Sequence, residues 1–192
     1  MKVRWLNPPA EWSEENGITR VKTLGGTDFW RHTYYGFVRD SGHFRYREVE
    51  GDFLACVRVT ANYLVKYDQA GVMLRYDSSR WIKAGIEVAN DQLNLCVVVT
   101  NDRSDWSLIP LPDVPRRAEL VIHISRIGQT VTVRYGLNGS DMHLARVAAF
   151  TDEAVLQVGV MCCSPERAGF EAEFEELVVR GILPGVGEHA KP

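Results

Sequence analysis

The sequence predicts an all-β fold, an antiparallel β-sandwich, and three observations carry that prediction. Apolar residues recur with period two or in short β-branched runs, and no window sustains the i, i+3, i+4, i+7 spacing of a helix over three turns. Turn-forming residues separate these runs at intervals of roughly 8 to 12 residues. No helical segment is long enough to connect parallel strands, so we expect the strands to pair antiparallel, in a sandwich rather than a barrel.

The predicted strands begin with three alternating segments, at residues 53–60, 70–76 and 81–88. The last alternates most clearly and indicates a half-buried strand with one apolar and one largely polar face. Its inward face consists of Ile82, Ala84, Ile86 and Val88, and its opposite face of Trp81, Lys83, Gly85 and Glu87. Further strands are predicted at residues 93–100, 119–125, 130–135, 145–150, 156–162 and 169–179.

The chain is expected to form one domain over residues 1–182, because no shift in composition divides it. The proline-rich residues 109–115 are too short and too apolar for a flexible linker, and we predict an extended connection that crosses from one sheet to the other. Residues 183–192 carry Pro and Gly without an apolar period, which predicts a loosely ordered tail.

Charge and hydrophobicity exclude several partners. The 192 residues carry 22 Lys and Arg against 25 Asp and Glu, a formal net charge of -3, so no global positive field would hold a nucleic acid. Apolar stretches are far shorter than the roughly 20 residues that cross a bilayer. Asn7, Pro8 and Pro9 interrupt the N-terminus before a secretory signal forms. We therefore expect a cytoplasmic protein with no nucleic-acid and no membrane partner.

The cysteines and histidines form no recognisable metal or cofactor motif. Four cysteines lie in apolar strand-like runs, without a CxxC pair or a histidine at ligand spacing, and buried reduced thiols are the expected state. The five histidines are scattered, and no P-loop or dinucleotide-binding pattern is present. We predict no metal and no cofactor.

Aromatic and polar residues concentrate in the irregular segment 25–37, which is typical of a loop that carries recognition groups. Aromatic faces pack on the apolar faces of sugar rings, while carboxylate and amide groups fix hydroxyls. Trp30, with Asp28 beside it, is therefore a candidate for carbohydrate binding. The alternative is that the aromatic side chains, Phe29 and Phe37 above all, plug one end of the sandwich.

Two neighbouring predicted strands add polar side chains on the face opposite the core, namely Gln69 on one and Lys83 and Glu87 on the other. Gly71 and Gly85 face the same way, which predicts either a shallow trough or relief of crowding under a bulky loop. Trp106 follows a polar turn and supplies a further ring. The predicted ligand-binding set is Asp28, Trp30, Gln69, Lys83, Glu87 and Trp106.

Glycoside hydrolysis would require two carboxylates on one cleft, about 5 to 5.5 Å apart in retaining and about 6.5 to 9.5 Å apart in inverting enzymes. Only Glu171, Glu173 and Glu175 alternate on one predicted strand. They lack the aspartate that sandwich glucanases place between catalytic glutamates, and a charged strand face also resists edge pairing. No catalytic residue is assigned.

Eight ordered motifs resemble a known family. They are WLNPPAEW at 5–12, TDFWR at 27–31, YGFVRDSGH at 35–43, GDF at 51–53, YDQAG at 67–71, WIKAGIE at 81–87, SDWS at 104–107 and CSP at 163–165. The set resembles the domain-of-unknown-function family related to the fungal regulation-of-enolase protein, in the concanavalin A-like lectin and glucanase superfamily. The resemblance covers about residues 5 to 180 and implies a jelly-roll sandwich with one concave sheet.

The resemblance leaves activity open, because that superfamily contains lectins, glycosidases and interaction modules. The leading hypothesis is a non-catalytic module that binds a carbohydrate or a similar polyhydroxylated molecule on the concave sheet. The alternatives are a protein-interaction regulator of a metabolic enzyme and a glycoside hydrolase or lyase. The chain is expected to be a monomer, or a homodimer through a sandwich edge.

Overall fold

The computed structural model describes residues 2–175 and 177–182, which form two antiparallel sheets and a two-stranded hairpin. The predicted tail, 183–192, lies outside the described residues, so its order and the domain boundary at residue 182 stay predictions. Among the described residues, no helix is long and apolar enough to span a membrane.

The described residues contain seventeen strands. In chain order they are β1 (Arg4–Leu6), β2 (Glu11–Glu15), β3 (Ile18–Lys22), β4 (Phe29–Arg31), β5 (Val38–Asp40), β6 (His43–Glu50), β7 (Phe53–Ala61), β8 (Gln69–Arg75), β9 (Arg80–Ala89), β10 (Gln92–Asn101), β11 (Arg103–Pro110), β12 (Glu119–Ile127), β13 (Thr130–Leu137), β14 (His143–Ala149), β15 (Val155–Cys163), β16 (Glu171–Glu175) and β17 (Val178–Gly181).

The two large sheets confirm the predicted all-β antiparallel sandwich. One has seven strands in the order β1-β6-β15-β8-β9-β10-β11. The other has the order β14-β13-β12-β7-β16-β3-β2, with β17 also paired to β7. After β11 ends at Pro110, the chain crosses from the seven-stranded sheet to β12 in the other sheet, as predicted. The connection is not extended throughout, because residues 109–110 belong to β11 and residues 112–113 form a turn.

Each segment predicted as a strand overlaps one, and the last, 169–179, contains β16 and the first part of β17. The first six strands and β11 were not predicted. Strands β1 to β5 are three to five residues long, and all five residues of β2 are exposed, so no apolar alternation marks them. Pairing within the sheets defines these segments, and a single sequence does not display that pairing.

The seven-stranded sheet is buried on both faces along its strands β8 and β9, which differs from the half-buried strands that the alternation predicts. Its inner face packs on the other sheet through residues such as Leu74, Ile86 and Leu95. Its outer face carries a second apolar cluster that includes Met73 and Trp81. The β4–β5 hairpin covers this outer face and adds Phe29 and Trp30 to the cluster.

Polar contacts attach the hairpin to the outer face. The guanidinium of Arg75 on β8 donates two hydrogen bonds to the Asp40 carboxylate on β5, at 2.7 and 2.8 Å. The backbone N–H of Arg31 donates to Ser104 Oγ on β11 at 3.0 Å. Bidentate arginine–carboxylate pairs hold both distance and orientation, so the hairpin has a defined position over the sheet.

Candidate functional site

A cavity of about 250 Å³ lies between the β4–β5 hairpin and the outer face of the seven-stranded sheet. The hairpin, strands β8, β9 and β11 and the loop after β15 all contribute to its lining. All six side chains predicted from the sequence line it: Asp28, Trp30, Gln69, Lys83, Glu87 and Trp106. The structure therefore brings the predicted set together, and their binding of a ligand stays a prediction.

The register between β8 and β9 brings three polar side chains, Gln69, Lys83 and Glu87, together as the polar floor of the cavity. Gln69 on β8 lies directly opposite Glu87 on β9, and Met73 lies opposite Lys83. Because alternate residues of a strand share a face, Gln69, Lys83 and Glu87 all point away from the inter-sheet core. Their side chains are buried by the hairpin instead of exposed to solvent.

Lys83 is the central charge of this floor and is only 3% exposed. Its ammonium donates to Gln69 Oε1 at 2.6 Å, to the Phe29 carbonyl at 2.9 Å and to Asp28 Oδ1 at 3.4 Å. Burial alone would lower the pKa of Lys83, but the Asp28 carboxylate and other negative groups nearby hold it above its ordinary value. The ammonium is therefore charged, and its three protons have protein acceptors.

Asp28 is held at the cavity by the loop that precedes β4. Its Oδ1 accepts the N–H of Phe29 at 2.8 Å and the amide of Gln69 at 3.4 Å. Thr27 fixes the same loop, since its hydroxyl donates to the Leu24 carbonyl at 3.1 Å and accepts the Ser164 N–H at 2.9 Å. No donor among residues 2–175 and 177–182 hydrogen-bonds to Asp28 Oδ2.

Glu87 provides a second carboxyl group and is 4% exposed. Burial raises the pKa of Glu87 to about 7, and the positive charge of Lys83 opposes part of that rise. Beside it, Cys96 on β10 accepts the indole N–H of Trp106 at 3.2 Å, which orients that ring at the cavity. The floor thus combines a carboxylate paired to a lysine with a carboxyl group that titrates near neutral pH.

Two tryptophans form a wall of the cavity. Trp30 and Trp106 meet edge to face, with ring centroids 5.9 Å apart and planes at 85°. The indole N–H of Trp30 donates to the Thr33 carbonyl at 2.8 Å. Trp30 is only 6% exposed, so it is both a cavity wall and part of the outer cluster. Phe29 is fully buried, but in the cluster on the outer face of the sheet and not at an end of the sandwich, whereas Phe37 lines the cavity.

Tyrosines close the outer side of the cavity, and the sequence did not single them out. The hydroxyl groups of Tyr35 and Tyr67 are hydrogen-bonded to each other at 2.8 Å, and the rings of Tyr35 and Phe37 stack at 5.3 Å. Burial and the bond to Tyr67 raise the pKa of Tyr35 to about 12. The further lining residues missed from sequence are Gly26, Arg39, Pro165 and Glu166. They lie in loops and in the irregular β4–β5 hairpin, where no periodicity indicates which way a side chain points.

The paired glycines have a different role from either alternative that the sequence left open. Gly71 and Gly85 are directly opposite each other on β8 and β9. A Cβ at Gly71 would meet the backbone of Ala84 and Gly85, and a Cβ at Gly85 would meet the backbone of Ala70 and Gly71. Both glycines are therefore required by close approach of the two strand backbones, and not by a trough or a covering loop.

The alternating glutamates lie on the other sheet. Glu173 on β16 contacts Arg117 at 2.8 Å and Arg20 at 3.5 Å, and Glu175 contacts Arg58 at 3.2 Å. Strand β16 lies between β7 and β3, so it is an internal strand and not a sheet edge. These glutamates belong to a surface ion-pair network and do not line the cavity.

Comparison with known proteins identifies relatives over nearly the whole chain. The family described as "Protein of unknown function (DUF1349)" matches residues 5–182. "Regulation of enolase protein 1" of Saccharomyces cerevisiae is 39% identical over 172 residues, which cover 90% of this chain and 86% of that protein.

Solved structures show the same fold. A functionally unknown protein from Saccharomyces cerevisiae has a TM-score of 0.89 and 37% identity, covering 94% of this chain and 97% of that one. A protein described as "Bacteroides ovatus Xyloglucan PUL GH43B" has a TM-score of 0.67 and 20% identity, covering 89% of this chain and 34% of that one. The second likeness shows the fold alone, over about a third of the Bacteroides protein.

Proposed function

This chain belongs to the DUF1349 family, described as proteins of unknown function, and we propose from its site that it is a non-catalytic module binding a carbohydrate or a similar polyhydroxylated small molecule. The proposed binding surface is the outer face of the seven-stranded sheet. The observation that carries the proposal is the cavity itself, in which tryptophan rings face a preformed set of hydrogen-bonding groups.

The cavity matches the two kinds of surface that a sugar presents. Trp30 and Trp106 offer aromatic surface for the apolar C–H face of a ring. Asp28 Oδ2 and the Glu87 carboxyl group offer acceptors for hydroxyl groups. At about 250 Å³ the cavity lies below the roughly 300 Å³ at which sites for drug-sized ligands begin, so it suits about one sugar ring.

Within this proposal Lys83 is a positioning residue. Its three protons already have the acceptors Gln69 Oε1, Phe29 O and Asp28 Oδ1. It therefore holds Asp28 and Gln69 in place before the ligand arrives, which lowers the entropy lost on binding.

The test is a thermal-shift screen of the chain against mono- and oligosaccharides, sugar phosphates and glycolytic intermediates. A ligand that binds only the native state at 100 times its Kd stabilises it by about 2.7 kcal/mol, which corresponds to roughly 5 to 10 °C in Tm for a chain of this size. We expect a sugar to produce such a shift. Trp30→Ala and Trp106→Ala should each weaken it.

The matched control is Trp12→Ala, which removes an exposed tryptophan from β2 on the other sheet. We expect this variant to bind the sugar as the unmodified chain does. A panel without any hit, or a hit weakened equally by the control, would contradict the proposal.

The similarity to "Regulation of enolase protein 1" supports an alternative, that the chain regulates a metabolic enzyme by protein interaction. The exposed tyrosine-rich tip of the β4–β5 hairpin would then be the contact surface. A silent sugar panel, together with a change in the activity of purified enolase on adding the chain, would favour this alternative.

A second alternative is a glycoside hydrolase or lyase that uses Asp28 and Glu87. Both carboxyl groups line the same cavity, and the charge of Asp28 contributes to the raised pKa of Glu87. Release of reducing sugar from oligosaccharides, lost in Glu87→Gln, would replace the binding proposal with this one.

We also propose a cytoplasmic location and a monomeric or homodimeric state. All four cysteines are free, and Cys96, Cys162 and Cys163 are buried, as expected for reduced thiols in a reducing compartment. Residues 1–182 as one domain belong to the same proposal.

A further inference from the structure

A second groove lies on the other side of the two tryptophans. Its volume is about 440 Å³, and it is lined by Thr33, Tyr34, Ser104 and Asp105 together with Trp30 and Trp106. The cavity and this groove therefore share a wall made of the same two rings. A molecule that extends past the edge of this wall would occupy both the cavity and the groove.

Tyr34, which lines the groove, combines an exposed aromatic ring with a left-handed backbone. It is 91% exposed at the tip of the hairpin, and its φ angle is +63°. A left-handed backbone is unfavourable for a bulky non-glycine residue, and an exposed ring gains nothing from burial. His32 at φ +59° and Gly36 at φ +75° share this backbone region, so three residues of the tip have a left-handed backbone.

The aromatic surface is continuous from the cavity to the groove. Tyr34 contacts Tyr35 edge to face at 4.9 Å, and Tyr35 contacts Trp30 at 5.6 Å. Trp30 in turn meets Trp106 at 5.9 Å. Since Tyr35 lines the cavity and Tyr34 lines the groove, a continuous series of contacting aromatic rings connects the cavity with the groove.

The groove also offers a hydrogen-bonding group. The side chain of Asp105 is 65% exposed, and its Oδ2 accepts from Arg146 at 2.8 Å. In the part of the chain that the structure describes, no donor hydrogen-bonds to its Oδ1. Ser104 differs, because its hydroxyl already contacts Thr100 and the N–H of Arg31. The combination of ring and free carboxylate oxygen repeats the chemistry of the cavity.

Building on the proposed function, we propose that the ligand is an oligosaccharide of at least two units. The first unit occupies the cavity, and the second lies in the groove against Tyr34 and Trp106, with a hydroxyl donating to Asp105. A cavity that suits about one ring, beside a wider groove that shares its aromatic wall, fits a chain of sugars better than a single sugar.

The test is calorimetric titration with length-matched series of one to four units from the xylo-, cello-, malto- and manno-oligosaccharides. In the series that binds, the disaccharide should bind about tenfold more tightly than the monosaccharide, the gain expected from one aromatic stack. Tyr34→Asn removes the ring and keeps a residue that tolerates positive φ. It should reduce disaccharide affinity to the monosaccharide level and leave monosaccharide affinity unchanged.

Tyr34→Phe is the matched control, because it keeps the ring and should keep the length dependence. Trp30→Ala should weaken every member of the series. Monosaccharide binding with no gain for longer chains, or equal loss for all lengths in Tyr34→Asn, would overturn the oligosaccharide inference and leave the proposed function standing. Absence of binding in all four series, at every length, would overturn the oligosaccharide inference, and the proposed function would fall with it only if the thermal-shift screen, with its sugar phosphates and glycolytic intermediates, were silent as well.

Discussion

The two faces of strand β9 are equally buried and chemically opposite. Towards the other sheet it presents Ile82, Ala84, Ile86 and Val88, and towards the hairpin it presents Trp81, Lys83, Gly85 and Glu87. Apolar burial stabilises the native state by roughly 1.5 to 3 kcal/mol for a large side chain. Burial of a charge destabilises it unless partners compensate. The inner face is therefore explained by stability, whereas the outer face calls for a functional explanation.

The partners of the outer face support that distinction. Lys83 is compensated by three acceptors, but Glu87 has its pKa raised to about 7 by burial. An apolar outer face would avoid this penalty. The polar groups instead surround a cavity, where a ligand can use them.

The inner face should show the largest effect on stability. Ile86→Ala removes a side chain that is 0% exposed in the core between the sheets. We expect the free energy of unfolding to fall by about 3 to 4 kcal/mol, because transfer and cavity terms add. Urea denaturation measures this, and the folded fraction should bind the sugar with unchanged affinity. A loss below about 1 kcal/mol would break the contrast between the faces.

Replacing Lys83 should lower the free energy of unfolding less than Ile86→Ala does, but it should impair sugar binding more. Lys83→Met leaves Asp28 without its cation, but the side chain of Asp28 is 17% exposed and borders the cavity, so it can regain water. We expect a loss of about 2 to 3 kcal/mol in the free energy of unfolding. Sugar binding should be abolished, because Asp28 and Gln69 lose the group that positions them.

The double variant Asp28→Asn/Lys83→Met tests whether the unpaired Asp28 charge causes the loss of stability in Lys83→Met. It removes both charges, so it should be more stable than Lys83→Met alone while still failing to bind. Equal stability of the single and double variants in urea denaturation would show that Asp28 without its cation carries no penalty, and would contradict the prediction.

The sequence allowed one face of β9 to be predicted better than the other. Alternation over residues 82–88 identifies the core side correctly, because the core side is apolar. The same alternation predicts a solvent-facing opposite side, and this is wrong because the β4–β5 hairpin covers it. Strands of three residues show no period, so the alternation could not identify the covering hairpin, and the sequence offered a cover only as the alternative of a bulky loop over Gly71 and Gly85.

The candidate site shows a similar division. Its six predicted side chains were chosen by chemistry and strand face, and the fold brings them to one cavity. The contact between Lys83 and Asp28 joins residues 55 apart in sequence, and the bond between Tyr35 and Tyr67 joins residues 32 apart. Such pairs depend on how the hairpin folds back, which local patterns do not encode.

The smallest expected effect concerns the pH dependence that Glu87 gives the outer face. The folded-state pKa of about 7 lies above the roughly 4.3 of an unfolded glutamate, so between these values the native state holds more protons. The protonated Glu87 carboxyl group therefore contributes to the free energy of unfolding below about pH 4.5, and this contribution is lost as the pH rises through 7. Glu87→Gln does not titrate, so its stability relative to the unmodified chain should increase across that window.

The expected gain of Glu87→Gln is roughly 2 kcal/mol at pH 8 and near zero at pH 4.5. Each unit by which the pKa is raised is worth about 1.4 kcal/mol, and contact of the ionised carboxylate with water in the cavity offsets part of the total. Urea denaturation at both pH values measures the difference. Glu171→Gln, on the exposed side of β16, is the control and should show no such change. If the two variants behave alike, burial of Glu87 imposes no penalty, and the outer face needs no explanation beyond stability.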